Sequence, residues 1–158
     1  MPLAHVPAAL LPWLLLEDSM TERVAQAFGH APEVAVHFSG PDQLRTWEHD
    51  CLGDADSGEP GFARHISLEV DAQPLLLARS ITYRGNAIEP LLSGLQTTPL
   101  ASLLFEDARW SRVGAPLPLS LGRGLIGRAC IWQHTDSDQR LLVEEFFNFT
   151  AGDQATNA

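Results

Sequence analysis

The chain has 158 residues, 45% of them apolar and 19% charged, which is the composition of a folded domain with a sizeable core. Its net charge of −10, with no basic cluster anywhere, excludes nucleic acid and anionic membrane surfaces as partners, since both need concentrated positive charge. All 10 cationic residues are arginine, so chemistry that needs a Schiff-base or phosphate-loop lysine is excluded, and an anionic ligand must be held by arginine or backbone.

The apolar run from Ala8 to Leu16 follows no positive segment and is closed by Glu17-Asp18. It predicts a short buried helix over about 7–16, not a signal peptide or a transmembrane segment. Ser19 with Glu22 forms a capping box for a second helix through Val24, Ala27 and Phe28, ended by Gly29. Val34, Val36 and Phe38 alternate with Ala35 and His37 as in a strand. Residues 40–61, rich in Asp, Gly and Pro, predict a loop with one helical turn around Trp47. From Ala63 the alternation is clean. Arg64, Ile66, Leu68 and Val70 share one face; Ala63, His65, Ser67 and Glu69 share the other, which is expected to meet water. Asp71-Ala72-Gln73-Pro74 then turns the chain into a second arm, Leu75 to Thr82.

A short helix over 88–94 is followed by Thr98-Pro99, with Thr98 as cap and Pro99 in the first helical position of a segment carrying Leu100, Leu103, Leu104 and Phe105. A Gly/Pro-containing connection leads to a last hairpin, Leu125 to His134 and Leu141 to Phe149. In its second arm Leu141, Val143, Glu145, Phe147 and Phe149 share one face. The small, polar tail 151–158 is expected to be disordered. Strands in hairpins and helices in separate blocks predict an α+β class: a single antiparallel β-sheet with helices packed on it, one domain over 1–150.

Arg64 and Glu145 each sit among aliphatic face-mates, where an unpaired charge is costly. Arg64 is either one half of an internal ion pair, with Glu145 as the candidate partner, or a clamp for a ligand carboxylate. Glu145 is either that partner or a group that anchors a hydroxyl or moves a proton. Glu144, on the opposite face, is expected to be solvated. The helix starts at Ser19 and Thr98-Pro99 offer backbone N–H groups to an anion. No metal-ligand spacing exists among the six histidines, and no nucleophile elbow, dinucleotide loop or phosphate loop is present. Cys51 and Cys130 are too few and too far apart for a disulfide framework or a zinc site, and free thiols in a reducing cytoplasm are expected.

The run Trp13-Leu14-Leu15-Leu16-Glu17-Asp18-Ser19-Met20-Thr21 closely resembles the N-terminal signature of the chorismate–pyruvate lyase family, the bacterial 4-hydroxybenzoate synthases. Further blocks follow in the family's order: Arg64 with Pro74 and Arg79, Thr98-Pro99-Leu100 with Leu104-Phe105, Gly127-Arg128, and Leu141-Leu142-Val143-Glu144-Glu145-Phe146-Phe147. The matched blocks span about 10–147. Departures are His65, at a place often acidic in the family, Ala129-Cys130 in place of an Arg-Ser pair, Asn148 in place of leucine, and the poorly matching stretch 40–62.

The resemblance implies a lyase that converts chorismate to 4-hydroxybenzoate and pyruvate, the first committed step of ubiquinone biosynthesis, with neither metal nor organic cofactor. It implies Met20, Arg64, Leu100 and Glu145 as the contacts for substrate and product, with Arg64 and Glu145 central to catalysis. Arg79 or Arg128 is expected to take the second carboxylate of the substrate, and the helix pair around Ser19 to act as a lid. A cytoplasmic monomer is expected. The alternative is a sensor domain of the same fold that binds a small carboxylate without converting it.

Overall fold

Alternating side chains build one six-stranded antiparallel sheet: β1 (Glu33–Asp42), β2 (Gly61–Val70), β3 (Gln73–Tyr83), β4 (Trp110–Ser120), β5 (Ile126–His134) and β6 (Arg140–Phe147), in the spatial order β1-β2-β3-β6-β5-β4. The structure is a computed structural model that describes residues 6–53, 58–122 and 124–149. The tail expected to be disordered lies outside these described residues. The β2–β3 hairpin closes through Asp71 and Ala72, both left-handed (φ 53 and 63), the twist that a two-residue hairpin turn needs.

Strand β4 was not expected from the sequence. Gly114 (φ 73), Pro116 and Pro118 mask its alternation, and the register with β5 slips between Val113 and Leu117. An edge strand tolerates this, because one side of its backbone needs no partner.

The N-terminal segment forms a 3₁₀ turn over Ala8–Leu10 and α1 (Leu11–Leu14), within the helix predicted there. Helix α2 (Met20–Phe28) begins as predicted. Ser19 accepts a hydrogen bond from the Glu22 amide at 3.3 Å, and Gly29 ends the helix at φ 81. Trp13, Leu14, Met20 and Val24 pack on Ile66, Leu68, Leu76 and Phe147 to form one core. Helices α4 (Glu89–Ser93) and α5 (Ala101–Leu104) pack Ile88, Leu92 and Leu104 on Phe62, Trp132, Leu141 and Val143 to form a second. Both cores lie on the sheet face that carries Arg64.

The opposite face is not left to water. The helical turn expected around Trp47 is present and longer than expected, as the two-turn helix α3 (Thr46–Leu52), and Leu44 and Leu52 cover Ala63, Ile81, Ala129 and Leu142. The sequence shortens α3 because its apolar positions, Trp47, Cys51 and Leu52, are few and stand among Glu48, His49 and Asp50. No described helix is long and apolar enough to cross a membrane.

Candidate functional site

Between the two cores lies a partly enclosed cavity lined mainly by apolar side chains, with a few polar groups converging on it. Its floor is the sheet, to which every strand but β1 contributes a side chain, and its walls are the starts of α2 and α5. Strand register explains why the polar groups converge there. Arg64 lies opposite Ser80 on β3, and Glu145 lies between Ala78 on β3 and Arg128 on β5, so all point to one face.

Arg64 is 1% exposed. Its Nη2 donates to the backbone carbonyls of Gln96 (3.0 Å) and Thr98 (2.9 Å), in the loop that leads to Leu100. Gln96 is held at φ 52, a left-handed conformation unusual for this residue type, so the loop that meets Arg64 stores backbone strain. Nη1 is buried and has no acceptor among the described residues. Burial draws the guanidinium pKa down, since a cation in apolar surroundings is disfavoured until an anion joins it. Arg64 is therefore not the partner of Glu145.

That partner is Arg128, whose Nε donates to Glu145 Oε1 at 2.9 Å. The pair sits directly across β5 and β6. Arg128 Nη1 also donates to the carbonyls of Leu16 (2.6 Å) and Leu14 (3.3 Å), which ties the link between α1 and α2 to the cavity floor. Met20 is buried at the start of α2 and Leu100 is the residue before α5; both line the cavity. Thr98 caps nothing with its side chain. The helix starts two residues later than predicted, and the Thr98 carbonyl serves Arg64 instead.

Arg79 corrects an expectation. It projects from the other face of β3, under α3, and cannot reach a ligand in the cavity. Its Nε and Nη2 grip Glu48 (2.9 and 3.1 Å) and its Nη1 meets Asp42 (2.6 Å) and His65 Nε2 (2.7 Å). The expectation for Glu144 also fails: it is 1% exposed beneath α3, beside Glu48 and 3.7 Å from Arg79 Nε. Burial, then the Glu48 carboxylate, push its pKa up to about 9. Burial alone would raise the Glu48 carboxyl, but the hydrogen bonds from Arg79, Glu144 and the Arg45 amide, with the Arg79 charge, together hold it near 2. The departure His65 belongs to this cluster too, where burial and then the Arg79 charge keep its pKa low.

Arg112 on β4 and Trp132 on β5 also line the cavity, although no motif marked them. They pair directly across the two strands. The alternation of Trp110 and Arg112 with Ser111 and Val113 was the available signal, obscured by the glycine and prolines that follow.

Gly127 matters for a steric reason. A Cβ there would collide with the Glu145 carbonyl oxygen and the Phe146 ring. Gly127→Ala is expected to cost about 1–3 kcal/mol of stability by overpacking, and to lower ligand affinity by displacing Glu145. Paired urea-unfolding and ligand titrations check both; an unchanged affinity would show that Glu145 holds its place regardless.

Residues 2–150 match the sequence model of the family described as chorismate lyase. The chain is 31% identical over 167 aligned positions to the probable chorismate pyruvate-lyase of Pseudomonas aeruginosa strain UCBPP-PA14, covering 97% of this chain and 90% of that one. It is 32% identical to the corresponding protein of P. aeruginosa strain PAO1, over 70% of this chain and 62% of that protein. The chorismate pyruvate-lyase of Salmonella gallinarum is 32% identical over 65% of this chain, again spanning 62% of the relative's length. Among solved structures, the effector domain of PhnF from Mycobacterium smegmatis is similar, with TM-score 0.56 and 12% identity over 82% of this chain and 88% of that domain. So is the effector binding domain of the trehalose repressor of Bacillus subtilis, with TM-score 0.51 and 12% identity over 75% of this chain and 93% of that domain. At such identities the likeness extends to the fold alone.

Proposed function

Because the chain belongs to the chorismate lyase family, we propose that it cleaves chorismate to 4-hydroxybenzoate and pyruvate. The single observation that carries this is the pairing, in one cavity, of a buried arginine whose Nη1 has no acceptor among the described residues with a glutamate held by Arg128. A flat aromatic acid with a hydroxyl opposite its carboxylate matches that arrangement. Arg64 and the Leu100 amide hold the ring carboxylate, and Glu145 takes the ring hydroxyl.

The chemistry asks little of the protein. The bond from the ring to the enolpyruvyl oxygen breaks, and that oxygen becomes the ketone of pyruvate. The hydrogen on the hydroxyl-bearing ring carbon moves to the enolpyruvyl methylene, which becomes the methyl group. The ring gains its third double bond and aromaticity, which supplies the driving force. Fixing the reactive conformer and excluding water are then the tasks left to Arg64, Glu145 and the apolar walls. The link between α1 and α2, tied down by Arg128, is the segment that opens for exchange. A cytoplasmic monomer supplying the ring precursor of ubiquinone is the setting that fits this product.

Addition of chorismate to the purified protein is expected to yield 4-hydroxybenzoate and pyruvate in equal amounts. Recovery of 3-hydroxybenzoate or of unchanged substrate overturns the assignment; binding without turnover would identify a ligand sensor. Glu145→Gln keeps the shape and removes the charge. It is expected to lower kcat by about 10²-fold, the scale of general acid–base or charge assistance. An unchanged kcat would reduce Glu145 to a spacer.

A further inference from the structure

The proposed substrate carries two carboxylates, and the aromatic product carries one. The cavity must therefore meet a second negative charge in the substrate that is gone once pyruvate leaves. Arg64 has one ligand-facing position, deep between β2 and the loop before α5. Arg128 is committed to Glu145 and to the Leu14 and Leu16 carbonyls, and Arg79 lies under α3 on the other face. Among the described residues, Arg112 is the remaining cation that lines the cavity.

Its setting suits a carboxylate. Arg112 is half-buried on β4, its guanidinium stacked over the Trp132 ring at 5.1 Å from the centroid. Stacking fixes the plane of the fork and leaves its edge open for bidentate contact. The side chain makes one hydrogen bond among the described residues, from Nη1 to the Leu16 carbonyl at 3.1 Å, so its other N–H groups remain available. The nearest fixed negative groups along the cavity are Glu145, neutralised by Arg128, and Asp18, which is exposed at the mouth and screened by water.

Resting on the reaction proposed above, we propose that Arg112 binds the enolpyruvyl carboxylate of chorismate and thereby distinguishes substrate from product. Arg64 and Glu145 recognise what the two ligands share; Arg112 recognises what only the substrate has. Loss of the pyruvate carboxylate returns Arg112 to the Leu16 carbonyl alone. The product is then held only by the contacts common to both ligands.

The test compares two ligands on one variant. In Arg112→Met the KM for chorismate is expected to rise roughly 30-fold or more, the scale for losing a charge-assisted pair in a partly dry site. The dissociation constant for 4-hydroxybenzoate, measured by calorimetry, is expected to stay close to that of the wild type. Arg112→Lys is expected to recover part of the chorismate affinity. Equal weakening of both ligands would mean that Arg112 only shapes the cavity or ties down the α1–α2 link, and an unchanged KM would remove it from substrate binding; either overturns the inference. Failure of the wild-type protein to turn over chorismate is read in a separate assay and overturns the reaction itself.

Discussion

Replacing Arg64 with methionine is expected to lower kcat/KM for chorismate by roughly 10³-fold while the protein remains folded. The reason is the identity of its partners. Arg64 is 1% exposed, yet among the described residues it meets no carboxylate; its hydrogen bonds go to the Gln96 and Thr98 carbonyls. Methionine occupies a similar volume, so the change leaves two carbonyls short of a donor and no buried carboxylate unpaired. That costs about 1–3 kcal/mol, less than the breaking of a buried ion pair. Affinity for 4-hydroxybenzoate is expected to fall with turnover, because the ring carboxylate is common to both ligands. Measured together, kcat/KM, product affinity and the urea midpoint separate the possibilities. A large loss of stability with product affinity intact would make Arg64 a structural residue.

What could be seen in the sequence followed from how strongly each segment is patterned. The β2–β3 and β5–β6 hairpins were visible because one of their faces is almost wholly apolar, which fixes register and direction for Arg64 and Glu145 alike. Helix α2 was visible because Ser19, Glu22 and Gly29 each carry a local signal that needs no tertiary context. One strand escaped, and one helix was seen only as a single turn. Strand β4 has its alternation broken by Gly114, Pro116 and Pro118, and helix α3 turns a polar residue, Glu48, into the protein. With them went the correct placement of three charges. Arg112 could not be assigned to the cavity without β4, and neither Glu144 nor Arg79 could be seen as buried without the helix that covers them. Single-residue burial is a property of two elements packing together, so pairing Glu145 with Arg128 rather than Arg64 also required the strand order.

The buried cluster under α3 sets the second large effect. Arg79→Met is expected to cost about 3–5 kcal/mol of stability at neutral pH, since Glu48, fully buried on the inner side of α3, loses its cation and Asp42 loses an ion-pair partner. Turnover per folded molecule is retained, because Arg79 faces away from the cavity. The same cluster makes the wild type pH-sensitive, with a definite sign. Glu144 titrates near 9 when folded and near 4.5 when unfolded, so between those values the folded state holds a proton that the unfolded chain has lost. Unfolding then releases that proton, and stability falls as pH rises through this window. Glu48 acts in the other direction: near 2 when folded against 4.5 unfolded, its contribution is lost as pH falls below about 4.5. Asp42, also lowered, adds to the loss on the acid side, and His65, lowered from 6.5, adds stability as pH rises through its own range. Above pH 7 the Glu144 proton is left as the main contribution of the cluster. The urea midpoint of the wild type is therefore expected to fall from pH 7 to 9.5, and Glu144→Gln, which keeps a donor toward Glu48 and cannot ionise, is expected to flatten that slope. An equal slope in both proteins would place the titrating group elsewhere than Glu144.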